Sequence, residues 1–103
     1  MANFIALAKT SDIKPGEMKT FTVKRIGVLV ANVEGTLFAT QDLCTHDGGT
    51  LRDGELVHEE IECPRHGGRF NVKTGAASAM PAMFPIKTFP LKIDGDQILV
   101  SID

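Results

Sequence analysis

A chain of 103 residues, 43% of them apolar, can fill one hydrophobic core but not two. Eleven Lys and Arg stand against 13 Asp and Glu, a formal charge of −2, which gives no basic stripe to track phosphates and excludes nucleic acid as an expected partner. The opening MANFIALA has neither a basic start nor an apolar run of signal-peptide length, and no later stretch approaches the roughly 20 apolar residues of a membrane span. One cytoplasmic domain over residues 1–103, with no membrane partner, is therefore expected. In a reducing compartment its two cysteines are expected to be metal-bound or catalytic rather than disulfide-bonded.

Helix signals are nearly absent, and short alternating or β-branched apolar runs separated by Gly and Pro predict an all-β domain of antiparallel sheets. Phe4 to Ala8 reads as a first strand, Lys14-Pro15-Gly16-Glu17 as a turn, and Met18 to Val23 as a second strand. Val28 to Val33 and Leu37 to Thr40 form a hairpin about Glu34-Gly35. Residues 41–54 and 63–69 break the pattern: both are polar and glycine-rich, and they hold both cysteines and two of the three histidines. Glu55 to Glu62 reads as a hairpin arm between them. Gly75 to Pro85 reads as an ordered loop, and Ile86 to Ile93 pairs with Gln97 to Ile102 across Asp94-Gly95-Asp96. The organisation is a β frame with two loops inserted at one end.

Those loops carry Cys44-Thr45-His46 and Cys63-Pro64-Arg65-His66, the pattern C-x-H, sixteen residues, C-x-x-H. Each half offers one thiolate and one imidazole from a tight turn. Two thiolates suit one iron of a sulfide-bridged pair, and two neutral imidazoles suit the other. Such mixed ligation makes a cluster less negative than four thiolates do and eases its reduction, so the ligand types predict a redox role. Gly48-Gly49 and Gly67-Gly68 end the two turns without a Cβ, where backbone amides are expected to face cluster sulfurs. Two other readings remain open on these residues. One is a tetrahedral zinc site in an interaction module, against which the unusual half-site spacing weighs; the other is a histidine-activated cysteine nucleophile. His58 reads as a surface residue, Met80 and Met83 as packing beneath the loops, Phe70, Phe84 and Phe89 as core, and Arg65 and Arg69 as solvated.

The two motifs, with Leu51, Gly54, Arg69-Phe70-Asn71-Val72 and Thr74-Gly75, resemble the Rieske-type ferredoxins over essentially the whole chain. The resemblance is closest to the ferredoxin component of bacterial aromatic-ring-hydroxylating dioxygenase systems. It implies a Rieske domain with one [2Fe-2S] cluster bound by Cys44, His46, Cys63 and His66, the cysteines on one iron and the histidines on the other. It also implies a monomeric one-electron carrier, not itself an enzyme, between an NAD(P)H-dependent flavoprotein ferredoxin reductase and a terminal Rieske non-heme iron oxygenase. The small subunit of an assimilatory nitrite reductase is the alternative within the same fold. Quinol-oxidising relatives carry a disulfide and Ser and Tyr hydroxyls that bond the cluster. The matching positions here are Gly49, Arg65, Gly68 and Phe70, which supply none of these groups. Fewer donors stabilise the reduced cluster less, so a redox titration is expected to place the potential toward the low end of the roughly −150 to +300 mV Rieske range.

Overall fold

The computed structural model describes residues 3–102; Met1, Ala2 and Asp103 of the expected domain lie outside the described residues. The strands are β1 (Phe4–Lys9), β2 (Met18–Val23), β3 (Ile26–Val33), β4 (Thr36–Gln41), β5 (Glu55–Val57) and β6 (Glu60–Glu62). They continue with β7 (Arg69–Asn71), β8 (Ala77–Ala79), β9 (Thr88–Phe89), β10 (Leu91–Asp94) and β11 (Gln97–Ser101). One short 3-10 turn at Thr10–Asp12 is the helical element among the described residues. None of them forms a helix long and apolar enough to cross a membrane. All pairings are antiparallel, in three sheets ordered β1-β11-β10, β2-β3-β4-β9 and β5-β6-β7-β8.

The run Val28-Leu29-Val30-Ala31 is continuously apolar because β3 is buried on both faces. With a side-chain period of two, Leu29 and Ala31 join one core and Val28 and Val30 the other. The second core packs Ile13, Val23, Ala39, Phe89, Ile98, Val100 and Ile102 between the first two sheets. The first core packs Leu51, Ile61, Phe70, Val72, Ala82 and Ile86 under the third sheet, and Cys44 and Cys63 belong to it. β3 is thus the shared wall between the frame and the loop-bearing part.

β4 pairs with β9 through Ala39↔Phe89 and Thr40↔Thr88. Residues 42–87, which include the whole third sheet, are therefore one excursion whose two ends meet on neighbouring strands. This anchors the loops at one end, as expected. Three local expectations are corrected. The segment 75–85 is not all loop, because Ala77–Ala79 adds β8 to the edge of β7. The strand expected from Ile86 to Ile93 is split at Pro90, which cannot donate a ladder bond, and its halves β9 and β10 belong to different sheets. Third, β3 starts at Ile26, two residues earlier than its apolar run, after a tight turn with positive φ at Lys24 (50°) and Arg25 (69°).

Candidate iron–sulfur site

The excursion presents two connections at the same end. Residues 42–54 run from β4 to β5, and residues 63–68 join β6 to β7. The first is pinned at its base by Asp42, whose fully buried carboxylate accepts the Leu51 amide at 2.7 Å and Arg52 Nε and Nη2 at 2.8 and 2.7 Å. The Asp42 amide in turn donates to the Gly27 carbonyl at 3.0 Å.

Above this base the two cysteine turns are closed by the same pair of backbone bonds. Cys44 N donates to Gly49 O at 2.8 Å and Gly48 N to Cys44 O at 2.8 Å; Cys63 N donates to Gly68 O at 2.7 Å and Gly67 N to Cys63 O at 3.0 Å. Gly48 and Gly67 have the same φ, +77°, a left-handed conformation that glycine adopts without strain. The offsets from cysteine are identical in the two turns. By these offsets Asp47 corresponds to His66, and His46 to Arg65. The C-x-H and C-x-x-H motifs thus share one backbone but put their histidines one residue apart on it.

Three of the four sequence-predicted ligands, Cys44, Cys63 and His66, converge, and His46 stands next to them. Cys44 Sγ lies 3.2 Å from His66 Nε2, and the rings of His46 and His66 meet edge to face with centroids 4.4 Å apart. One donor atom each from Cys44, Asp47, Cys63 and His66 lies within 4.8 Å of the other three, with His46 beside this group rather than in it. Both cysteines are buried, His66 is partly buried and His46 is exposed. Burial pushes the Cys44 thiol above its ordinary pKa, backbone bonds at Asp47 and His46 pull it down, and the Cys63 thiol beside it raises it again. Two such thiols in an apolar floor suit a strongly charged metal centre, whose field favours the thiolate.

Asp47 is the residue that sequence reasoning missed. Its carboxylate is bound by Arg65 through Nε to Oδ2 at 2.5 Å and Nη2 to Oδ1 at 2.8 Å, and it lies 3.6 Å from His66 Nε2 and 4.0 Å from Cys63 Sγ. The Arg65 fork holds the Asp47 carboxyl far below the usual carboxylate range, and the guanidinium is raised in turn. Arg65, expected to be solvated, is thus engaged in pairing, and Arg69 pairs with Glu60 and Glu62 at 3.6 and 3.5 Å. His58 is exposed in the β5–β6 turn, as expected.

Three apolar side chains are placed differently from expectation. Met80, Met83 and Phe84 are 74%, 68% and 67% exposed, while Phe70 and Phe89 are core. Their segment leans on the first cysteine turn, where Thr45 Oγ1 donates to the Phe84 carbonyl at 2.6 Å. The backbone of Asp47 and His46 supplies the hydrogen bonds that face the Cys44 thiol, and the four turn glycine amides point elsewhere. They donate inside their own turns, Gly48 and Gly67 to the cysteine carbonyls, Gly49 to Asp47 Oδ1 at 2.9 Å and Gly68 to His66 Nδ1 at 3.0 Å.

Two thiols and two imidazoles converging from twin turns are a donor set that suits a two-iron cluster. Residues 3–90 match the Rieske [2Fe-2S] domain family, and the chain belongs to that family. Its cofactor is accordingly one [2Fe-2S] cluster, which sets the zinc and nucleophile readings aside. The chain is 41% identical over 97 residues, 94% of its length and 91% of the other's, to the ferredoxin component of biphenyl 2,3-dioxygenase from Rhodococcus jostii (strain RHA1). Its fold matches the ferredoxin of carbazole 1,9a-dioxygenase from Nocardioides aromaticivorans IC177 with a TM-score of 0.93 at 35% identity, covering 99% of this chain and 100% of that one. It also matches, with a TM-score of 0.90 at 32% identity over 95% of this chain and 92% of the other, a chain in a complex of reduced oxygenase and oxidized ferredoxin in carbazole 1,9a-dioxygenase.

Replacing Asp42 by alanine leaves the Leu51 amide and the Arg52 head without their acceptor. It is expected to cost about 2–4 kcal/mol, measurable as a lower urea midpoint at unchanged m-value.

Proposed function

We propose that this chain is a monomeric, cytoplasmic one-electron carrier that takes electrons from an NAD(P)H-dependent flavoprotein reductase. It delivers them to the terminal oxygenase of a multicomponent aromatic-ring dioxygenase and has no substrate of its own. Cys44 and Cys63 hold one iron and His46 and His66 the other. The observation that carries the reading is the pair of identical cysteine turns, which bring both histidines to the rim of the molecule above two buried thiols. The similarity to ferredoxin components of dioxygenase systems supports the choice of partners.

A [2Fe-2S] group supplies one reversible electron. The chain's own residues insulate it below and open it above. The floor of Leu29, Leu51, Ile61 and Phe70 excludes water from the thiol side. The exposed His46 gives the ring-nitrogen side a short way out. Phe84, whose carbonyl receives the Thr45 hydroxyl, adjoins that exit, and with Met80 and Met83 of the same segment it exposes apolar surface of the kind that marks a protein contact. In this reading the occupant is the oxygenase, because the rim adjoins the site it must reach and a related ferredoxin is seen in complex with an oxygenase. A small apolar rim suits the brief contacts of redox partners.

Two measurements test the proposal. Anaerobically purified protein is expected to contain two irons and two acid-labile sulfides. Replacing either His46 or His66 by alanine is expected to abolish or displace its visible and electron paramagnetic resonance spectra, while spectra that survive both changes refute the ligand assignment. In reconstituted turnover with the biphenyl oxygenase and reductase, Phe84→Ala is expected to raise the KM for the ferredoxin about five- to tenfold, with kcat and redox potential unchanged.

A further inference from the structure

Each cysteine turn is closed within itself, which leaves open what fixes one turn against the other. Arg65 lies between them. From the second turn its guanidinium reaches three acceptors in the first: Asp47 Oδ2 through Nε at 2.5 Å, Asp47 Oδ1 through Nη2 at 2.8 Å, and the Thr50 carbonyl through Nη1 at 2.8 Å. Two further features show that the first turn is shaped to receive it. The Gly49 amide donates to Asp47 Oδ1 at 2.9 Å and orients the carboxylate toward the arginine. A Cβ at Gly49 would lie 2.6 Å from Arg65 Cζ and Nη2, so only glycine lets the planar head lie against the backbone there. The planar fork matches a carboxylate in a way that lysine cannot.

We infer that Arg65 is a positioning residue: seated on Gly49 and forked onto Asp47, it crosslinks the two cluster-bearing turns and holds the spacing at which four ligands from two separate loops grip one cluster. The inference rests on the ligand reading given above. The pair has a second consequence, because Asp47 lies close to both His66 and Cys63. While paired, its negative charge is balanced where the cluster sits. Unpaired, it opposes uptake of an electron.

The experiment compares the unaltered holoprotein with Arg65→Gln, Asp47→Asn, the double variant and Gly49→Ala. The readouts are the rate at which visible absorption bleaches in the presence of a chelator and the redox potential. Arg65→Gln and Gly49→Ala are each expected to speed cluster loss about three- to tenfold, the double variant no faster than Arg65→Gln. Raising sodium chloride toward 1 M, where the screening length falls to about 3 Å, should speed loss from the unaltered protein and leave the double variant unmoved. The potential should fall in Arg65→Gln, fall by less in Gly49→Ala, where the arginine charge is displaced but kept, rise in Asp47→Asn and return near its starting value in the double variant. A purely structural role does not produce that pattern of signs. If Arg65→Gln takes up no cluster, Gly49→Ala and the salt series decide the matter. Unchanged loss rates, additive effects, or a spectrum altered by Asp47→Asn in the manner of a lost ligand would overturn the inference. Lack of a [2Fe-2S] spectrum in the unaltered protein refutes the ligand reading instead, so the two failures are distinct.

Discussion

Four backbone hydrogen bonds, two around Cys44 and two around Cys63, determine where this protein's reactive side chains sit. Each pair folds a cysteine back over its own glycines, which turns the thiol down into the core and leaves the intervening side chains on the rim. Repeating the closure on two separate loops brings two thiols together without any covalent link between them. The rest of the fold serves that convergence. The β4–β9 pairing joins the ends of the excursion, Asp42 fixes the base of the first loop, and the short third sheet holds the bases of the two loops side by side.

Where the sequence was informative, it was because one physical requirement showed on few residues. The ligand pattern is such a case, since two Cys/His half-sites have few other uses. So is β3, where a run of four apolar residues marks burial on both faces. Other features left weaker traces. The turn at Lys24-Arg25 carries neither the Gly nor the Asn that announces a tight hairpin, so the early start of β3 was hidden. β8 is three small or polar residues, Ala77-Ser78-Ala79, paired along one edge, which leaves no hydrophobic alternation to read.

The misplaced residues share a cause. Large apolar side chains usually pack inside, which puts Met80 and Met83 beneath the loops and Phe84 in the core by composition, yet all three are exposed. The spacing from cysteine to histidine, two residues in one motif and three in the other, hides Asp47. Counting from each cysteine to its glycine pair aligns the turns exactly and puts Asp47 opposite His66. The signal was in the sequence: both stretches end in Gly-Gly at the same distance from cysteine.

That alignment also bears on why the two half-sites are not identical. The two fourth-position side chains face each other, with Asp47 Oδ2 3.6 Å from His66 Nε2, so histidine at both positions would crowd one space. Moving one histidine back by a residue lets the rings meet edge to face at 4.4 Å. The vacated fourth position of the first turn holds Asp47, and the third position of the second turn, matching His46, holds Arg65. The asymmetry that separates the imidazoles thus also creates the facing charges that join the loops, and one offset of a single residue accounts for both the ring contact and the ion pair.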